Sequence, residues 1–297
     1  MKKIILTLLL VFSGFLIWYL AIKPYDYLVT IESKTFPGVI NQTIKTWNYT
    51  QKGAKIEPTD DLNTIRQIIP FNDSTFLYQW KIETLNDSVS VVKVYITDLD
   101  HSIKNRLSNP FFHTDFEKRV KNSLTGFNKN LNEHLSKFRV EIIGESQIEE
   151  KFCAYIPIQS KQIEKARGMM QYFGLLDNAM AENELQLDGR PFLIINEWDM
   201  KNDKIQYDFC FPIVDNDTLF EHPDILFKKI ESKKALKATY NGNYISSDRA
   251  WYALLDYAEK NNIEVDRTPI EIFHNNPNMG GDELQWTTEV LMPLDLD

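Results

Sequence analysis

The sequence predicts an α+β protein in three parts: an apolar amino-terminal helix, an antiparallel sheet closed by one long helix, and a duplicated strand-helix-strand-strand unit. Three observations carry this. Residues 4–22, "IILTLLLVFSGFLIWYLAI", hold no charge. Between Asp115 and Phe138 the residues Phe116, Val120, Leu124, Phe127, Leu131 and Leu135 recur at steps of three and four, the stripe of one helix face. "ELQLDGRPFLII" at 184–195 aligns with "NIEVDRTPIEIF" at 262–273, residue for residue, 78 positions apart.

At 1.5 Å per residue, 4–22 just spans a bilayer core. Lys2 and Lys3 precede it and Lys23 follows with Asp26 close behind, so the charge balance favours an inside amino terminus. Trp18 and Tyr19 stand near the far end, where amphipathic rings suit the interface. A cleaved signal peptide is the alternative, but the apolar stretch is long and lacks a small-x-small site after Tyr19. The expectation is an uncleaved anchor over residues 1–24, with the rest exported to the periplasmic side. Cys153 and Cys210 are then either a disulfide or two buried thiols.

Of the 297 residues 43% are hydrophobic and 25% charged, enough for a buried core and too apolar for wholesale disorder. Net charge is −9 and no run of Lys or Arg exceeds two, so no nucleic-acid partner is expected. The five histidines show no paired ligand spacing, and no Gly-rich phosphate loop, nucleophile elbow or Cys-His signature occurs. Neither a metal nor a cofactor is expected.

In the first soluble part, residues 25–139, strands are expected at 27–35, 64–71, 75–83 and 90–98. A helix is expected around Val39, Ile40, Ile44 and Trp47, and a turn at 86–88. This order, ending in the 115–138 helix, resembles the START-like (polyketide cyclase) helix-grip fold. The resemblance rests on element order and implies a sheet wrapped around that helix.

Residues 140–297 carry the repeat. Leu185 matches Ile263, Asp188 matches Asp266 and Pro191 matches Pro269; further on, "DFCFPI" at 208–213 matches "EVLMPL" at 289–294 with an offset of 81. The three extra residues fall in "HNNPNMGGDE", whose Asn, Pro and Gly suit a longer turn. Ser246 or Ser247 is placed to cap a helix carrying Trp251, Leu254, Leu255 and Ala258 on one face.

"YNGNY" at 240–244, "VDRTPIEIFHNNP" at 265–277 and "TTEVLMPL" at 287–294 together resemble the GyrI-like, or effector-binding, domain of bacterial transcription activators. The resemblance implies two pseudo-symmetric units around a pocket for hydrophobic, often cationic, small molecules. It assigns the pocket carboxylate to Glu289 and the aromatic pair to Tyr240 and Tyr244. Phe273 stands where the family often has Tyr, keeping the ring and losing the hydroxyl.

Strand alternation gives an independent reading. Glu289 shares a face with Gln285, Thr287 and Leu291, while Trp286, Thr288, Val290 and Met292 share the richer apolar face expected beneath the helices. Asp208 projects from the position equivalent to Glu289, and Trp251 sits on the helix stripe as either core or ligand contact. A desolvated carboxylate beside aromatic rings attracts an organic cation, and burial raises a carboxyl toward the range of a general base. The expected ligand site is Glu289, Tyr240, Tyr244, Phe273, Asp208 and Trp251. The expected function is a membrane-anchored protein capturing hydrophobic or cationic amphipathic molecules. Two alternatives stay open: a hydrolase of electrophilic small molecules with Glu289 as base, and a tethered protein-interaction scaffold.

Overall fold

Alternation and helical periodicity are realised in two compact units, residues 1–132 and 133–297, in a computed structural model that describes residues 2–71, 73–86, 89–216 and 219–295. Of the turn expected at 86–88, residues 87 and 88 lie outside the described set.

In the first unit, helix α1 (Lys2–Ile17) runs on as a π-helical turn through Ile22, where the Lys23 amide closes on the Trp18 carbonyl at 2.8 Å. There follow β1 (Tyr27–Ser33), α2 (Pro37–Asn48), β2 (Lys55–Ile56), β3 (Thr64–Phe71), β4 (Ser74–Asn86), β5 (Val89–Asp98), α3 (Ser102–Ser108) and α4 (Asp115–Leu135). Pro37 opens α2 at its first turn, where a missing N–H costs nothing. The five strands form an antiparallel sheet in the order β1-β5-β4-β3-β2. Its inner face presents Phe76, Tyr78, Trp80 and Ile82 from β4, each buried as the two-residue period requires. Against it lies the α4 stripe, with the Phe127 ring 5.5 Å from Trp47 and 4.9 Å from Trp80. The short β2 and α3 carry too few residues to show a period.

Helix α4 stops at Leu135, short of the expected Phe138. The Lys137 amide turns back onto the His134 carbonyl, and Phe138 instead begins a strand and stacks on Tyr240 with centroids 5.9 Å apart. That strand, β6 (Phe138–Ile148), opens the second sheet. It is followed by β7 (Lys151–Lys161), α5 (Lys165–Glu182), β8 (Phe192–Asp199), β9 (Lys204–Pro212), β10 (Leu226–Ile230), β11 (Lys233–Gly242), α6 (Arg249–Asn261), β12 (Ile270–Phe273) and β13 (Thr287–Pro293). The eight strands run β10-β7-β9-β8-β12-β13-β11-β6, every pair antiparallel. Each hairpin is closed by a matching bridge, Leu187 to Ile213 and Val265 to Leu294.

One expectation about this unit is corrected. Neither Ser246 nor Ser247 caps α6: a 3-10 turn at 244–246 leads into it, Asp248 holds the N-cap position with its side chain bonded to Gln162 and Arg249 instead of the helix amides, and Ser247 is engaged elsewhere. The sheet face away from α5 and α6 is apolar as well as acidic. It carries its own apolar cluster, including Phe192, Ile270, Leu291 and the two free, buried thiols of Cys153 and Cys210.

The start of α6 meets the end of α4. Arg249 Nε donates to His134 Nε2 at 3.0 Å, a bond that only a neutral imidazole accepts. Burial first, and the neighbouring guanidinium second, push the His134 pKa down to about 4. Its folded value therefore lies below the unfolded one near 6.5, so the stability it confers is complete above that value and is lost as pH falls toward 4. The loss amounts to at most about 3 kcal/mol. Urea unfolding of the wild type and His134→Phe between pH 7 and 4 is expected to show a shallower pH slope in the variant.

Candidate ligand site

Thr288, Val290 and Met292 of β13 turn toward α5 and α6, as does Phe209 of β9. On this side of the sheet the 274–278 loop, α5 and the 244–246 turn border a cleft of about 300 Å³. Met169 and Phe173 line it from α5, Phe209 and Phe273 from the sheet, and Tyr244 and Trp286 from the loops beside it. Tyr244 is the hinge of this wall. Its ring lies 4.8 Å from Phe273 and 5.6 Å from Trp286, and its hydroxyl donates to the Asn275 carbonyl at 3.0 Å while accepting the Asn275 amide at 2.9 Å. Arg190 ties the same loop down, donating to the His274 carbonyl at 2.6 Å. Asn243, Asn275, Asn276 and Asn278 supply a polar edge, and among the described residues no carboxylate lines the cleft.

The structure separates the six residues expected to share a site. Tyr244 and Phe273 line the cleft; the other four do not. Tyr240 is fully buried, its hydroxyl donating to the Asn243 carbonyl at 2.9 Å, because its register opposite Thr288 points it into the core. Trp251 is fully buried with its ring 5.1 Å from that of Trp198. Asp208 and Glu289 share a face, as alternation requires, but it is the face with the second apolar cluster. Asp208 pairs there with Lys228.

Glu289 borders a separate cavity of about 240 Å³ together with Lys237 and Ile272. Its carboxylate lies 2.7 Å from Lys237 Nζ and 3.1 Å from His274 Nε2. Partial burial raises its pKa, but the Lys237 hydrogen bond and charge, with His274 beside them, outweigh this and hold it below the ordinary carboxylate value. The expectation that burial lifts Glu289 toward the range of a general base is therefore reversed.

A buried carboxylate on the cleft's side of the sheet is Glu271, which sequence reasoning does not single out. It lies fully buried opposite Leu193, bonded to the Lys165 ammonium, with Ser247 Oγ donating to its other oxygen at 2.8 Å. Lys165, also fully buried, completes its bonds on Ser247 Oγ at 2.7 Å and sits 4.7 Å over the Trp251 ring. Burial pushes the Glu271 carboxyl upward and the Lys165 ammonium opposes this only in part. The repeat held the signal: Glu271 stands where the first copy has Leu193, a charge at a core position.

The family model for the GyrI-like small molecule binding domain matches residues 161–295. Residues 161–295 are a GyrI-like domain. Solved structures similar to this region include the EcmrR C-terminal domain, at 20% identity over 53% of this chain and 98% of that one, with a TM-score of 0.44. SAV2435 bound to tetraphenylphosphonium shares 14% identity over 52% of this chain and 94% of its own, with a TM-score of 0.37. A hydrolase from Listeria innocua shares 11% over 57% and 98%, with a TM-score of 0.34. No curated protein matches the chain.

Within the GyrI-like domain the Lys165–Glu271 pair tests as a unit. Lys165→Met strands a buried carboxylate and is expected to cost about 3–5 kcal/mol in urea unfolding. Adding Glu271→Leu, which restores the side chain of the other repeat, is expected to recover most of that loss.

Proposed function

We propose that the chain is a membrane-tethered small-molecule-binding protein whose GyrI-like domain takes an uncharged, hydrophobic, ring-bearing ligand in the Tyr244–Phe273 cleft. The observation that carries this is the composition of the wall: aromatic and thioether side chains, an amide edge, and no carboxylate. At about 300 Å³ the cleft lies at the lower end of small-molecule sites. The cationic ligand suggested by family resemblance finds less support here. Glu271 on this side is already bonded to Lys165, and the wall carries the basic side chains of Arg190 and His274.

The tether is α1 with its π-helical turn. Residues 3–22 form one helix long and apolar enough to cross a membrane, and none of its apolar window is buried inside the protein. The flanking charges support an exported, periplasmic placement of both units. A compartment-sensitive reporter fused after Asp297 is expected to be active outside the cytoplasm; cytoplasmic activity reverses the orientation. The sheet of the first unit, closed around the α4 stripe, supports the helix-grip reading, with the core filled by Trp47, Trp80 and Phe127.

The ligand reading is tested with the full chain in lipid nanodiscs, titrated with neutral naphthalene derivatives and their trimethylammonium counterparts. Tryptophan fluorescence and the thermal midpoint are the two signals, since a ligand of the folded state alone raises the midpoint. Neutral compounds are expected to bind, and Phe273→Ala to weaken them about 10- to 100-fold through lost ring burial. Preference for the cations, abolished by Glu289→Gln, would overturn the assignment.

A further inference from the structure

The segment from Leu99 to Phe112 leaves an unusual set of side chains bare. Leu99, Ile103 and Leu107 are more than half exposed, and Phe111 and Phe112 are 79% and 71% exposed. Ile103, Leu107 and Phe111 follow one another at four-residue steps. The chain keeps turning past α3, with the amides of Phe111 and Phe112 both donating to the Ser108 carbonyl, so the three fall on one side. The opposite side of α3 holds Asn105 and Arg106, both buried.

Arg106 fixes where this apolar side sits. Its guanidinium donates to the carbonyls of Tyr19 and Leu20 at 3.3 and 3.1 Å, and Tyr19 Oη donates back to the Arg106 carbonyl at 3.2 Å. These are carbonyls of the last turn of the apolar helix, which have no partner further along that helix. A second bond, from Arg106 Nε to Asp26 Oδ1 at 2.6 Å, and one from Ser102 Oγ to the same oxygen, also at 2.6 Å, lock α3 to the chain just beyond that turn. Helix α3 is thus clamped at the level where the spanning segment ends. Trp18 and Tyr19 stand at that level, and Lys23 lies 4.4 Å over the Tyr25 ring.

We propose that this segment is a second membrane contact: Ile103, Leu107, Phe111 and Phe112 rest in the headgroup and upper acyl region of the bilayer that α1 spans. The inference rests on the tether reading above. A lipid surface is the occupant because the patch is continuous, through the Arg106 clamp, with an exposed apolar helix that is long enough to cross a membrane and that the tether reading places in lipid. A short apolar face beside a basic residue, here Lys104, is the composition of an interfacial contact, with the ammonium reaching back to the headgroups. Two contacts at one membrane level hold the first unit in a fixed attitude to the bilayer.

The test uses the full chain in phosphatidylcholine vesicles, with a fluorophore placed at Phe12→Cys, Leu107→Cys, Phe111→Cys or Thr125→Cys. The native cysteines are buried, and unlabelled wild type checks that they stay silent. Lipids brominated at shallow or deep acyl positions act as quenchers. Phe12 is expected to lose about half its signal or more to the deep bromines, and Leu107 and Phe111 a similar share to the shallow ones. Thr125, exposed on α4, is expected to be unaffected. If Phe12 is quenched while Leu107 and Phe111 behave like Thr125, the second contact is refuted and the tether stands. If Phe12 itself is not quenched, the tether reading fails and takes this inference with it. Protection of Phe111 from aqueous iodide without lipid quenching, increasing with protein density, assigns the patch to a second copy of the chain and refutes the lipid contact.

Discussion

A carboxylate with no access to water has to be matched where it stands, and Glu271 is matched by Lys165 and Ser247. Those three groups come from β12, the first turn of α5 and the approach to α6, so one buried ion pair fixes the position of both helices on the sheet. The cleft lies immediately beside that junction: Ala166 and Met169 follow Lys165 on α5, Tyr244 precedes Ser247, and Phe273 follows Glu271. A change in the pairing moves every wall of the cleft together. The pair also shapes its electrostatics, because the Glu271 carboxylate is already satisfied by Lys165 and Ser247.

The arrangement separates two kinds of chemistry across one sheet. On the helix side lies an aromatic cleft with an amide edge. On the opposite side Glu289 and Lys237 border a second, smaller cavity, and the buried thiols lie in the apolar cluster of that face. His274 touches both, lining the cleft while its Nε2 lies against Glu289. The division follows from the two-residue period of a strand: Glu271 and Phe273 face one way, Ile270 and Ile272 the other.

In the first unit the same economy of burial operates with a different outcome. The guanidinium of Arg106 is expensive to bury and is held by Asp26 and two backbone carbonyls of the apolar helix. This makes a fixed joint of the end of the apolar helix. The exposed apolar side chains of α3 acquire a defined place relative to that helix end.

The sequence by itself determined the elements whose signal is periodic. Strands at 64–71 and 90–98, the α4 stripe, the apolar helix and the matching hairpins of the second unit are written in alternation or in three- and four-residue steps that survive without tertiary context. It also determined which residues share a face, so Asp208 and Glu289 do point the same way. Only the tertiary structure decided what each face meets. The family resemblance places the pocket carboxylate at Glu289, yet its neighbours Lys237 and His274 are set by strand pairing and loop path. Glu271 was passed over because its partner, Lys165, stands 106 residues away in sequence, and no local pattern announces a pair of that separation. Tyr240 and Tyr244, four residues apart in one motif, take opposite fates for the same reason: one is drawn into the core by its strand register, the other, just past the strand, is free to build the wall.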